Sequence, residues 1–211
     1  GEAIEAIKHA GATVIDPVDI PTIPQIGAAE IIVLLFELKA NLNRYLGERA
    51  MKDGPRTLAD VIIFNEANRA TEMPYFGQER FIEAEAKGPL TTKTYVDAVT
   101  KNHSLAREQG IDAAVKKFKL DALIAPSRVP AWLTDLISGD RSSGSCTTLP
   151  AVAGYPHITV PVGYVHGLPV GISFFGAAWS EPKLISLAYA FEQITKFRRA
   201  PKFLHSADLS S

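Results

Sequence analysis

Leu149-Pro-Ala-Val-Ala-Gly-Tyr-Pro-His-Ile-Thr-Val-Pro-Val-Gly-Tyr164, followed after Val165 and His166 by Gly167-Leu-Pro-Val-Gly-Ile-Ser-Phe-Phe-Gly176, is the stretch on which the fold turns. Residues 158–165 and 168–175 are rich in β-branched and aromatic side chains, and both runs read as strands. His166-Gly167 between them is a two-residue hairpin turn, with Gly167 at positive φ. Pro161 cannot donate to a sheet ladder, so the first strand needs a bulge or an unpaired position there. The span from Ser142 to Ser180 holds no Asp, Glu, Lys or Arg. Pro150, Pro156, Pro161 and Pro169 interrupt it too often for a membrane helix, and it reads as strands buried on both faces.

On the C-terminal side, Ser180 and Pro182 open a helix with the apolar stripe Leu184, Leu187, Ala188, Phe191 and Ile194. Lys196, Arg198 and Arg199 suit its C-terminal dipole, and residues after Pro201 read as a tail. On the N-terminal side, residues 126–150 form a Pro-, Ser-, Gly- and Thr-rich loop after a buried strand at 122–125, and a loop of that length is usually functional. Upstream, the period is helical. Helices are expected at 2–9, at 28–51 with an end at Asp53-Gly54-Pro55, after Thr57, at 78–86, and at 91–108 and 111–118 around Gly110. Thr57 and Asp60 have the spacing of a capping box. Residues 12–15 read as a short buried strand closed by Asp16-Pro17.

The 211 residues are enough for one large or two small domains. Lys plus Arg number 22 against 23 Asp plus Glu, so the net charge of −1 leaves no basic surplus for nucleic acid. Cys146 is the only cysteine, which excludes an internal disulfide and zinc sites built on several thiolates. No phosphate-binding glycine loop is present, and the five histidines include no metal-chelating pair on a helix. No cofactor or metal is expected, and the cysteine count suits a cytoplasmic protein.

Two strings could carry a nucleophile. Ser142-Ser143-Gly144-Ser145-Cys146 could supply a serine and oxyanion donors, yet spacing provides no base, and a plain polar loop is the simpler reading. Cys146 would need an electropositive setting to react. Gly171-Ile-Ser-Phe-Phe175 nearly matches a nucleophile elbow, but Phe175 stands where the second glycine is required, so Ser173 reads as a core serine.

Taken together, the quoted stretch resembles the closing region of the amidase signature family: small residues and Gly-x-Pro, a strand with V-P-x-G, then G-L-P-x-G-I-x-F-x-G and a helix. Asp16-Pro-Val-Asp-Ile-Pro, Phe64-Asn-Glu-Ala-Asn, Met73-Pro-Tyr-Phe-Gly-Gln-Glu and Asp121-Ala-Leu-Ile-Ala-Pro-Ser resemble the same family in the same order. The resemblance covers nearly the whole chain. It implies an α/β fold, a mixed β-sheet flanked by helices, of which residues 1–211 form the C-terminal part of a single amidase domain. It implies hydrolysis of a small-molecule carboxylic amide through a serine acyl-enzyme. The family's lysine and two serines lie upstream of the region matched, so no catalytic residue is expected in this chain. The resemblance further implies a substrate pocket wall from Phe64, Met73, Tyr75, Phe76, Pro126, Ser127, Trp132, Ser145 and Cys146. The rivals are a non-catalytic binding domain of the same fold and one component of a transfer-RNA-dependent amidotransferase. A chain cut from its N-terminal part would expose a strand edge and apolar surface, so self-association is expected, and no membrane contact.

Overall fold

The computed structural model describes residues 1–49, 54–140 and 144–203. In chain order, the elements begin with α1 (Glu2–His9), a 3-10 turn (Ile23–Gln25), α2 (Gly27–Arg49), α3 (Leu58–Ala67), α4 (Arg69–Glu72), α5 (Glu79–Glu85) and α6 (Lys93–Ala106). A π-helical segment (Arg107–Ile111), α7 (Asp112–Phe118), β1 (Leu123–Pro126), α8 (Thr148–Ala153), β2 (His157–Val165), β3 (Leu168–Phe175) and α9 (Glu181–Thr195) complete the order. They fall into two compact units, one of Gly1–Pro24 with His103–Ser211, the other of Gln25–Asn102.

The second unit is helical, and its core is Leu35, Leu58 and Ala84, with Leu38, Leu42, Ile62 and Phe81 packed around them. Polar side chains close its helix ends. Asp60 N donates to Thr57 Oγ1 at 3.1 Å and Thr57 N donates to Asp60 Oδ2 at 2.9 Å, so both arms of the expected capping box are present. Leu58 N donates to Asn43 Oδ1 at 2.7 Å, which holds the start of α3 against α2. Lys39 Nζ donates to the carbonyls of Glu85 and Lys87 at 2.5 and 3.1 Å, closing the C-terminal end of α5. The expected end of the α2 helix at Met51 lies outside the described residues.

In the first unit the hairpin forms as expected. β3 is the central strand of a sheet ordered β1-β3-β2, antiparallel throughout, so the expected mixed pairing is not met within these strands. His166 and Gly167 both have positive φ, 48° and 74°, as a type I′ turn requires. The register shifts by one residue between Pro161 and Gly163, the bulge that Pro161 demanded. That shift decides which side chains face each other, because a slip of one residue exchanges the two faces of a strand. With it, Ile158 and Val160 lie opposite Phe174 and Ile172, while Thr159 lies opposite Ser173. The first set packs with Leu184, Ala188 and Phe191 of α9, and with Ala3 and Ile7 of α1, as one apolar core. The second set faces the other way.

Three expectations are corrected, and one is met. Residues 12–15 form no strand; they pair with no strand among the described residues, and Ile15 is 42% exposed. Gly110 breaks the helix as expected: its backbone is non-helical, φ −101°, ψ −105°, at the kink between α6 and α7. The crowding there explains glycine, since a Cβ would lie 2.6 Å from the Leu105 carbonyl oxygen. That carbonyl instead accepts from Thr22 Oγ1 at 2.8 Å. The long loop closes earlier than expected, at Thr147, because α8 buries Leu149, Pro150 and Ala153. Ile194, placed on the buried stripe of α9, is 50% exposed, since the stripe leaves the sheet after Phe191.

The turn yields a direct test. No atom crowds Gly167, so a larger residue there meets only the cost of left-handed backbone. Gly167→Val is expected to destabilise the protein by about 1 kcal/mol or more, measured by urea unfolding.

Candidate functional site

The sheet face turned away from α9 carries a polar cluster. β3 places Ser173 there, β2 places Thr159 and His157, and the first residue beyond β1 places Ser127. Ser173 is 0% exposed, whereas His157 reaches solvent. Ser173 Oγ lies 2.7 Å from Ser127 Oγ, 2.9 Å from Thr159 Oγ1 and 2.7 Å from His157 Nε2. Ser127 Oγ and Thr159 Oγ1 are also hydrogen-bonded to each other. A buried hydroxyl costs free energy unless it is paired, and here the pairing is complete.

All four contacts can be hydrogen bonds at once only when His157 Nε2 carries the fourth proton and donates to Ser173, with the three hydroxyls donating around a closed ring; when Ser127 and Thr159 both donate to Ser173, Ser173 donates to His157 Nε2 instead. The first arrangement keeps every contact and is the one the tautomer measurement below tests. Burial lowers the His157 pKa below the ordinary histidine value.

Ser127 also ties the sheet to the loop that follows it. Its N–H donates to the Gly171 carbonyl at 2.9 Å, and its own carbonyl accepts from Cys146 N at 3.4 Å and Ser145 Oγ at 3.3 Å. Arg128 and Ser145 form an isolated antiparallel bridge, so the two ends of the loop meet. Gly171 is required beneath this joint, because a Cβ there would lie 2.9 Å from Ser127 Oγ. Within the loop, the Arg128 guanidinium stands 5.1 Å from the centre of the Trp132 ring, and Trp132 Nε1 donates to Asp140 Oδ1 at 3.1 Å. The backbone N–H groups of Ser138 and Ile137 hold the Asp135 carboxyl below the usual carboxylate range.

Beside the loop, α8 is clamped by the π-helical segment. Arg107 Nε donates to the Ala153 carbonyl at 2.7 Å, and its guanidinium stands over the Tyr155 ring. Tyr155 OH donates to Asp112 Oδ2 at 2.9 Å. This segment thereby holds the end of α8 just before β2 begins.

The structure brings Pro126, Ser127, Ser145 and Cys146 together at the loop root, with Trp132 in the loop above. Phe64, Met73, Tyr75 and Phe76 belong to the other unit, on α3 and the turn after α4; Tyr75 is 70% exposed. Ser142 and Ser143 lie outside the described residues. Sequence reasoning missed Thr159 and His157 and read Ser173 as an inert core serine. Alternation along β2 puts His157 and Thr159 on one face, but Ser173 joins them only once the one-residue bulge is placed. Among the described residues, no group of three or more His, Cys, Asp or Glu is placed to hold a metal ion, and no helix is long and apolar enough to cross a membrane.

Comparison with known proteins matches residues 1–185 to the family model described as Amidase. A probable amidase of Arabidopsis thaliana is 40% identical over 207 residues, 95% of this chain and 37% of that protein. The solved structure of native peptide amidase from Stenotrophomonas maltophilia matches with TM-score 0.87 at 44% identity, over 96% of this chain and 40% of that chain. A glutamyl-tRNA(Gln) amidotransferase component from Latilactobacillus sakei is 30% identical over 212 residues, 95% of this chain and 42% of that protein. The chain spans about two fifths of the length of these relatives.

The proton count is open to measurement. Long-range 1H–15N spectra of the histidine side chains are expected to show neutral His157 as the Nε2–H tautomer, with its titration midpoint below that of a free histidine. An Nδ1–H tautomer would overturn the count. Because the unfolded chain takes up this proton more readily than the folded one, the contribution of His157 to stability is present above the ordinary histidine pKa and declines as pH falls below it.

Proposed function

The chain belongs to the amidase family, and from that premise we propose that it is the C-terminal part of a single amidase domain that hydrolyses carboxylic amides through a serine acyl-enzyme. In this reading the lysine and the two serines of the reaction come from a part of the protein outside this chain. The chain contributes scaffold and one wall of the substrate pocket. One observation carries the division of labour. A Ser–His hydrolase needs the imidazole to accept the serine proton. Here Ser173, the serine of the cluster's Ser–His pair, is fully buried and held by two further hydroxyls, an arrangement that suits structure and not attack on a substrate.

The proposed pocket wall in the first unit is the loop root, Pro126, Ser127, Ser145 and Cys146, with Trp132 beyond it. The likeness to a peptide amidase makes an amide carried by a peptide the first substrate class to try. No cofactor enters this reaction, and a cytoplasmic location and self-association of the separated chain belong to the same reading. The amidotransferase alternative rests on 30% identity to the Latilactobacillus sakei protein, against 40% to the Arabidopsis amidase, and it predicts activity that depends on charged transfer RNA.

The test compares the intact protein with the 211-residue chain alone, following ammonia release from simple aliphatic, aromatic and peptide amides. The intact protein is expected to release ammonia without added transfer RNA, and the chain alone to release none. Turnover by the chain alone that disappears in Ser173→Ala or Ser145→Ala would place catalysis within these residues and contradict the reading.

A further inference from the structure

His103, in the last turn of α6, and Arg107, at the start of the π-helical segment, lie one helical turn apart, with Arg107 Nη2 3.1 Å from His103 Nε2. A guanidinium has only donors, so the imidazole nitrogen in this contact must be the bare one. The ring proton of neutral His103 therefore sits on Nδ1. The same guanidinium donates from Nε to the Ala153 carbonyl at 2.7 Å and stands 5.8 Å from the centre of the Tyr155 ring. Ala153 is the last residue of α8 and is 0% exposed, and carbonyls at a helix end lack partners within the helix. Arg107 thus spans the junction between α8 and β2, with neutral His103 behind it as the acceptor that orients it.

The charges around this imidazole do not favour a second cation. α8 holds no titratable residue, and on α6 the residues one turn back, Val99 and Thr100, do not titrate. Arg107 is the cation in contact. Asp112 of α7 is engaged by the Tyr155 hydroxyl at 2.9 Å. Burial first, and the Arg107 charge second, lower the His103 pKa below the ordinary histidine value, and Glu108 on the neighbouring exposed position acts the other way.

We propose that His103 and Arg107 form a proton-operated clamp on the C-terminal end of α8. With His103 neutral, the clamp is closed. A proton taken from solvent at Nε2 removes the acceptor and sets two cations side by side. The guanidinium is one rigid plane, so Nη2 cannot leave His103 without Nε losing its approach to the Ala153 carbonyl. α8 carries the change to its other end, where Thr147 N donates to Ser145 Oγ at 3.2 Å and the two hydroxyls lie 2.8 Å apart. Acid therefore loosens the α8–β2 junction and slackens the loop root at Ser145. Because folding lowers the His103 pKa, stability linked to the neutral ring is present above the ordinary histidine pKa and declines as pH falls below it. The clamp itself opens as pH falls through the lower value of the folded state. This device is independent of the reaction that the protein performs.

The test follows hydrogen exchange by mass spectrometry in the intact protein, over peptides covering residues 148–156, at about pH 8 and about pH 5, corrected for the intrinsic pH dependence of exchange. Protection in the native protein is expected to fall about tenfold or more from the higher to the lower pH, as loss of a hydrogen bond from a charged group would give. His103→Gln keeps an acceptor that never gains a proton, so its protection is expected to change by less than about twofold. Arg107→Leu, which has no donor, is expected to lie at the low level at both pH values. Protection that is independent of pH in the native protein would overturn the proposal. The same loss in His103→Gln as in the native protein would also overturn it, by assigning the titration to another group such as His157. A further readout needs no substitution: long-range 1H–15N spectra of the native protein are expected to show neutral His103 as the Nδ1–H tautomer, and the Nε2–H form would contradict the clamp.

Discussion

One extra residue in β2, between Pro161 and Gly163, sets the order of everything on the sheet. The two-residue turn at His166-Gly167 fixes the pairing next to it, and without the bulge that pairing would run unchanged to the start of the strand. Thr159 would then lie opposite Phe174, with its hydroxyl directed into the apolar layer beneath α9. With the bulge, Ile158, Val160, Ile172 and Phe174 close against Leu184, Ala188 and Phe191. Proline is the residue that enforces this, since it has no N–H to give to the ladder at position 161.

The opposite face follows from the same shift. Ser173, Thr159 and Ser127 meet there as a closed ring, with His157 hydrogen-bonded to Ser173 from the rim. A fully buried serine with three partners is stable because each of its lone pairs and its proton is used. Since one member of the ring, Ser127, is also the first residue of the loop, the sheet holds the loop root in place. Gly171 leaves the space that this contact needs. The loop root thus stands on the sheet.

Much of this was legible in the sequence, and the limits are physical. The hairpin, its turn, the bulge at Pro161, the capping box at Thr57 and Asp60, and the long helix of the second unit all depend on residues near one another in the chain. Period, turn chemistry and proline report them well. Residues 12–15 have strand-like composition, but a strand requires a partner, and pairing is not a local property. The kink at Gly110 leaves the Leu105 carbonyl to accept from Thr22, 83 residues away, a contact that local patterning does not report. The polar ring was hidden for a similar reason. Its members come from three segments, and their meeting depends on a one-residue register that composition does not encode.

The facing of Thr159 and Ser173 is the claim on which the rest stands, and a double-mutant cycle measures it most directly. Urea unfolding of the native protein, Thr159→Val, Ser173→Ala and the double variant gives their coupling free energy. Residues hydrogen-bonded to a buried hydroxyl should be coupled to it by about 1 kcal/mol. Additivity within about 0.3 kcal/mol would mean that the two side chains do not meet, and that β2 does not carry this register.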